Sequence, residues 1–275
     1  MSRAVFPASL LSFLLLAAPA SAQDNQDKDV CHSSAQLLEE VKAGLGKGGL
    51  AALAPLAPSM QQAVAGADSC FPSISNADGS MLMLADGTTE TLMAAGSMAT
   101  KKIKGTVLFN PFPQIAFVLG SYYNETGKPQ DALRTLDKGL SLSPFPDMRL
   151  GASVHVLIAE KGAAFNALRR FDDALQDYDE GLKLANLGDA DRARFHRGRG
   201  FALTELGRLD EAENAYRDAL KLVPGDTRSQ HELAYIARLR GGAAKADSYF
   251  STAAPPSADK DVPQEQRAKK TDAPN

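Results

Sequence analysis

Small and apolar positions recur along residues 113–253 with helical spacing, and a longer period is laid over that spacing. Ala132, Ala174 and Ala212 each precede a leucine or tyrosine four residues on, at Leu136, Tyr178 and Tyr216, and a small residue seven on, at Gly139, Gly181 and Ala219. Steps of four and seven place these residues on one helix face. Ala246, Phe250 and Ala253 form a weaker fourth set. Twelve residues before each alanine stand Gly120, Gly162, Gly200 and Ala234, with Tyr123, Phe165, Leu203 and Ala237 three positions after them. Each copy therefore predicts two helices whose backbones approach through small residues while an aromatic or leucine fills the remaining gap. Thr126-Gly127-Lys128-Pro129 and Leu206-Gly207-Arg208-Leu209 put a glycine where a helix must end, and Pro144 and Pro224 stop the second helices.

This pattern resembles the tetratricopeptide repeat, two antiparallel helices in about 34 residues. The copies begin at Pro113, His155, Ala193 and Thr227, steps of 42, 38 and 34 residues, so the first two carry inserts, placed in the connections at 144–153 and 187–191. One repeat cannot bury its own apolar face, and the stack has to be continuous. The resemblance implies a groove lined by the first helices, with partner contacts from the second, fifth, ninth and twelfth repeat positions. Carried over, these are Gln114, Phe117, Ser121 and Asn124; Val156, Ala159, Ala163 and Asn166; Arg194, Arg197, Phe201 and Thr204; and Arg228, His231, Tyr235 and Arg238. The first half is apolar and amide-bearing, and the second collects four arginines with a histidine and two aromatics. Arginine beside aromatics suits carboxylates and extended peptides. The competing reading pairs the arginines with Asp189, Asp191, Glu205 and Glu232. A lysine–asparagine clamp for C-terminal carboxylates, found in some members at the fifth and ninth positions of a first repeat, is not supported, because Phe117 and Ser121 stand there.

Ahead of the repeats, residues 1–22 read as a signal peptide, with Arg3, an apolar run from Leu10 to Ala18 and Ala20-Ser21-Ala22 before a cut at Gln23. The run is too short to span a bilayer, so the mature chain is expected to be exported across the inner membrane, periplasmic, and without a transmembrane segment. Residues 23–110 form an N-terminal segment. Ser33 to Leu45 reads as a helix with Leu37, Leu38, Val41 and Leu45 on one face and Ser33 and Gln36 at capping-box spacing. Gly44 to Gly49 breaks it, and Pro58 to Ala65 offers a second helix. Residues 80–93 read either as a hairpin around Asp86-Gly87 or with their second half as a helix; helical neighbours favour a helix over Thr89–Thr100. Lys101 to Asn110 reads as a connector. Residues 254–275, rich in proline and charge, read as a disordered tail.

Cys31 and Cys70 are the two cysteines. In an oxidising compartment they read as one disulfide closing a 40-residue loop, worth roughly 4 kcal/mol. Free thiols or a metal pair are the other readings, and Cys31-His32 is too little for zinc.

Composition narrows the function classes. Thirty basic residues face 33 acidic ones, and loss of residues 1–22 leaves a net charge of −4, which argues against nucleic acid. The acids Asp172, Asp173, Asp177, Asp179 and Glu180 fail the calcium-loop pattern and read as a solvent face. Asn124-Glu125-Thr126 matches a glycosylation acceptor but ends a helix. His32, His155, His196 and His231 form no metal pair, and His196 stands where a large buried side chain is expected. No catalytic residue, metal or cofactor is expected. The sequence thus predicts an all-α chain: a disulfide-tied, mostly helical segment, repeats over 111–253 and a tail. Its expected function is protein–protein interaction in a groove holding an acidic or extended peptide, as an envelope scaffold or assembly factor. The alternatives are a groove filled by the protein's own N-terminal segment or by a second copy in a homo-oligomer, and an accessory enzyme activity in residues 23–110.

Overall fold

A computed structural model describes residues 20–70, 74–75, 79–185 and 187–242, with side chains from Ser33 onward except at Ile74, Ser75 and Pro146. Residues 1–19 of the expected signal peptide, the expected second helix of the fourth copy and the expected tail at 254–275 lie outside the described residues.

The repeats form antiparallel helix pairs: α4 (Phe112–Glu125) with α5 (Pro129–Ser141), α6 (Val154–Ala167) with α7 (Phe171–Leu182), and α8 (Asp189–Glu205) with α9 (Leu209–Leu222), followed by α10 (Thr227–Arg240). Gly127 and Gly207 adopt left-handed conformations, φ +72° and +76°, at two of the intra-pair turns. In the α6–α7 turn the same conformation falls on Arg169, φ +58°. The insert at 144–153 forms a short 3₁₀ turn at Pro146–Met148 with its surrounding loop, whereas much of the second insert lengthens the start of α8.

Packing inside each pair follows the small-residue register. A Cβ placed on Gly120 would meet Leu136 at 2.5 Å, one on Gly162 would meet Tyr178 at 2.6 Å, and one on Gly200 would meet Tyr216 at 2.9 Å. The bulky member of each pair is fully buried, so the first-helix glycine is the hole into which the second-helix side chain fits. The next small position serves the junction between pairs. Gly139 faces Leu157 and Gly181 faces Phe195; at the third junction the corresponding Ala219 and Ser229 are both fully buried. The glycine-and-large pairing becomes small-and-small there.

The N-terminal segment extends this core. α1 (Ala20–Gly48) buries Leu38 and Val41, a 3₁₀ turn (Gly49–Leu53) buries Leu53, and α2 (Ala57–Gly66) buries Met60 and Val64. These residues join one apolar cluster running through Ile115, Leu136, Leu157, Tyr178 and Tyr216 to Ile236. The first repeat is thereby covered rather than left with an open apolar face. Ser33 and Gln36 lie inside α1, so they are not an N-terminal capping box. Gly44 does not end the helix either: its missing side chain admits Leu53, and the break comes at Gly49, φ +61°.

The all-α expectation is corrected in residues 74–109, although the described chain is mostly helical. β2 (Met81–Ala85) pairs antiparallel with β1 (Ile74–Ser75) and parallel with β3 (Gly105–Phe109), and α3 (Thr88–Thr100) makes the crossover. A parallel pair cannot be closed by a tight turn, so Asp86-Gly87 starts the crossover helix instead of a hairpin, with Gly87 at φ +97°. The expected connector is β3, admitted because Gly105 lies against the Met81 carbonyl and the Met98 sulfur.

Cys70 ends a 3₁₀ turn (Ala67–Cys70) that packs on α1 and is fully buried. The Cys31 side chain lies outside the described residues, so the expected pairing is not among the described contacts.

Candidate functional site

The first helices stack side by side, α4 on α6, α6 on α8 and α8 on α10, and this brings the residues at the second, fifth, ninth and twelfth positions into one row. At its amino end Gln114, Phe117, His155 and Val156 line an open pocket of about 290 Å³ together with Val118, Ala152, Ser153 and two residues of α1, Leu38 and Lys42. The lining is largely apolar, with Gln114, Lys42, Ser153 and His155 among the residues around it. His155 Nε2 lies 3.5 Å from Asp191 Oδ2.

Further along, two asparagines connect neighbouring repeats. Asn124 Nδ2 donates to the Glu160 backbone oxygen at 3.1 Å and to Glu160 Oε2 at 2.9 Å. Asn166 Nδ2 donates to the Tyr178 hydroxyl at 3.1 Å and lies 3.5 Å from the Gly198 carbonyl oxygen. Glu160 and Gly198 occupy the same repeat position, so each asparagine reaches the sixth residue of the following copy. Thr204, at the asparagine position of the third copy, turns back on its own helix and donates to Gly200 O at 2.9 Å. Three polar atoms on this row are buried without a hydrogen-bond partner among the described residues: Ser121 Oγ, Asn124 Oδ1 and Asn166 Oδ1.

Arg194, Arg197 and Arg199 pair with acids other than those expected from the sequence. Arg194 pairs with the buried Glu160 of α6. Arg197 Nη1 lies 3.1 Å from Asp226 Oδ2, which also accepts from Ser229 Oγ at 2.6 Å. Arg199 Nε reaches Asp179 Oδ1 at 2.9 Å. The expected partners were neighbours along one helix, whereas the pairs form between helices one repeat away. Arg228 has its guanidinium held below the usual value, first by burial and then by the nearby Arg197 charge. At the far end, Arg238 stacks 5.7 Å from the centre of the Tyr235 ring, and His231 and Arg238 are exposed. Phe201 is buried against Phe171, 6.5 Å between ring centres, and belongs to the core of the row rather than to its surface.

Two further expectations change. The acidic run is not all solvated: Asp177 is buried, with Lys161 Nζ 3.5 Å away, and its carboxyl is pushed up to about 6 because burial outweighs the lysine. On α8 the large buried side chain is Phe195; His196 is half-buried, and burial lowers its proton affinity. Glu160 and Asp226 are the polar residues that sequence reasoning missed, and Asp177 is the one it placed on the solvent face. For Glu160 the available signal was an acid directly after the apolar run Val156-Leu157-Ile158-Ala159.

A second buried polar cluster lies outside the row. Asp86 Oδ2 accepts from Ser153 N at 2.6 Å, its carbonyl accepts from Ala152 N at 2.7 Å, and Glu90 accepts from Asp86 N at 2.7 Å and from the Ser143 hydroxyl. Burial raises the proton affinity of both carboxyls. Together with Asn110, whose Nδ2 donates to Leu142 O at 2.7 Å, this cluster ties the β–α–β unit to the 143–153 insert. No group of three or more metal-ligating side chains occurs among the described residues, and no described helix is long and apolar enough to cross a membrane.

Residues 160–227 and 199–259 match the family model for the tetratricopeptide repeat. Among curated proteins, heat shock protein STI1 of Saccharomyces cerevisiae is 33% identical over 98 residues, 35% of this chain and 15% of that protein, so the chain spans a small part of its length. Among solved structures, the first tetratricopeptide domain of human RPAP3 is 23% identical, covers 48% of this chain and 94% of its own, and superposes with a TM-score of 0.40. The second domain of human RPAP3, in complex with the HSP70 peptide SGPTIEEVD, is 22% identical over 46% of this chain and 98% of its own, with a TM-score of 0.38. The first repeat domain of Spaghetti (RPAP3), bound to the HSP90 peptide SRMEEVD, is 23% identical over 47% of this chain and 94% of its own, TM-score 0.40.

Proposed function

We propose that this protein is an interaction module that holds an extended peptide segment of a partner along the stacked first helices, by binding and without a reaction. The observation that carries this reading is the set of buried, unpartnered polar atoms on that row, Ser121 Oγ, Asn124 Oδ1 and Asn166 Oδ1. Buried polar groups are nearly always hydrogen-bonded, and an orphan costs about 1–3 kcal/mol. An extended peptide presents backbone N–H groups that suit two amide oxygens and a hydroxyl. The apolar pocket would accept an apolar side chain of the same segment, and Arg238 with Arg228 favours acidic residues at the other end. Export by residues 1–22, a periplasmic location, the Cys31–Cys70 disulfide and an envelope scaffold role belong to the same proposal. The packing of α1 on the Ala67–Cys70 turn is compatible with that disulfide.

A peptide-display selection on the full chain, followed by fluorescence anisotropy of a selected peptide, tests the reading. Ser121→Ala is expected to leave stability unchanged or raised while weakening the peptide several-fold, and Arg238→Glu to weaken an acidic peptide by about tenfold. Equal affinity of both folded variants and the parent would overturn it. The reversals Arg194→Glu and Arg197→Glu are unsuitable, because each would set two carboxylates together in a buried place.

A second reading has one observation in its favour. Leu38 and Lys42 of α1 already line the pocket, which makes the N-terminal segment its occupant in this second reading; Lys42→Ala is then expected to bind the selected peptide more tightly.

A further inference from the structure

Glu160 stands in the middle of the row, 2% exposed, directly after the buried Leu157, Ile158 and Ala159 of α6. Its two carboxylate oxygens are served by different neighbouring helices. Oε2 accepts from Asn124 of α4 at 2.9 Å, and Oε1 is paired with the guanidinium of Arg194 of α8. A guanidinium and an amide converging on one carboxylate are the groups with which a groove would hold a carboxylate of a bound segment. Here the chain supplies the carboxylate itself.

Stability alone gives little reason for that arrangement. A buried ion pair is often no better than apolar residues of the same volume, because desolvation offsets the attraction, and the corresponding repeat positions hold Val118, Gly198 and Glu232 in the first, third and fourth copies, so the position does not require a carboxylate. The charge balance of the row supplies a reason. Arg228 loses proton affinity first to burial and then to the nearby Arg197 charge, with Asp226 opposing and Arg194 adding to the loss. Asp226 offsets Arg197 and Glu160 offsets Arg194.

We infer that Glu160 is an internal stand-in for a ligand carboxylate: it occupies the anion position at the centre of the row, withdraws Arg194 and Asn124 Nδ2 from partners, and confines selection for acidic residues to the α10 end. The inference rests on the reading of the row as a binding site. It makes Glu160 a specificity-determining residue and places Arg194, offered by the sequence as a partner contact, on the protein's own side of the interface.

The test compares the full chain with Glu160→Gln and with the double variant Glu160→Gln/Arg194→Gln, all checked for folding by circular dichroism and melting. The probe is a fluorescein-labelled decapeptide of alternating glutamate and alanine, followed by anisotropy at low and moderate salt. Glu160→Gln frees one cation and is expected to bind the probe about tenfold more tightly at low salt, with the gain shrinking as salt rises. The double variant, which carries the same net charge as the parent, is expected to bind as the parent does. Two outcomes overturn the inference: a folded Glu160→Gln protein no tighter than the parent, or a double variant much weaker than the parent, since the latter would make Arg194 a partner contact already. If Glu160→Gln does not fold, the double variant alone decides. A Tyr235→Ala/Arg238→Glu control separates this from the broader reading. If the control binds the probe as the parent does, the row is not the acidic-peptide site, while the comparison of single and double variants still reports on Arg194.

Discussion

Gly162 and Tyr178 meet so closely that a Cβ on the glycine would lie 2.6 Å from the ring's Cε1. Tyr178 is fully buried and its hydroxyl is held by Asn166, so the ring has nowhere to retreat. Gly162→Ala is expected to destabilise the chain by about 1–3 kcal/mol through overpacking. Gly96 provides the control, since it lies in helix α3 with no atom near its would-be Cβ. Gly96→Ala is expected to stabilise by about 0.5–1 kcal/mol through helix propensity alone. Urea melts of the two variants beside the parent check both signs, and a Gly162→Ala protein as stable as the parent would contradict the packing described.

Removal of Asn166 reaches two repeats at once. Asn166→Ala leaves the Tyr178 hydroxyl buried without its donor and loosens the link to Gly198. The expected cost is about 1–3 kcal/mol. Substitution of Tyr178 by Phe in the same background should recover part of it, because the stranded hydroxyl is then gone. Absence of any recovery in the double variant would show that the Tyr178 contact is not the source of the loss.

The Asp177 carboxyl, raised to about 6 by burial despite Lys161, makes stability depend on pH with a definite sign. The folded chain holds this proton more tightly than the unfolded chain. The contribution is therefore present below about pH 4, the ordinary carboxylate value, and is lost as pH rises through about 6. Asp177→Asn should flatten that part of the stability–pH curve, with Lys161 still paired to Asp137 at 3.0 Å. Chemical denaturation at pH 4, 5, 6 and 7 measures it, and parallel curves for variant and parent would refute the assignment.

Asp86 and Glu90 act in the same direction, because burial raises both. Ionisation as pH rises above the ordinary carboxylate range leaves two buried charges that the hydrogen bonds from Ser153 and Ser143 offset only in part, so opening of the insert, which returns them to water, becomes easier. Amide exchange in residues 143–153, corrected for its intrinsic pH dependence, is expected to accelerate over that range, and less so in Asp86→Asn. An insert whose protection ignores both pH and the substitution would show that these carboxyls do not anchor it.

The repeats were legible in the sequence because their determinants are local and periodic. Glycines at 120, 162 and 200 and the bulky residues sixteen positions later specify each helix pair, and the turn glycines mark where the chain reverses. The apolar face of α1 followed from helical spacing too, whereas the helix expected over Thr89–Thr100 was favoured by its helical neighbours and the row of second, fifth, ninth and twelfth positions was implied by the resemblance. Tertiary structure decided what spacing cannot encode. Whether Met81–Ala85 pairs with a neighbour in a hairpin or with Gly105–Phe109 across a helix depends on a parallel partner more than twenty residues away. Which acid neutralises each arginine depends on helices a repeat apart, so Arg194 finds Glu160 and Arg197 finds Asp226, while Asp177 turns inward to Lys161. Periodicity fixes which face a residue occupies; only the assembled stack determines which opposite charge, or which empty place, that face meets.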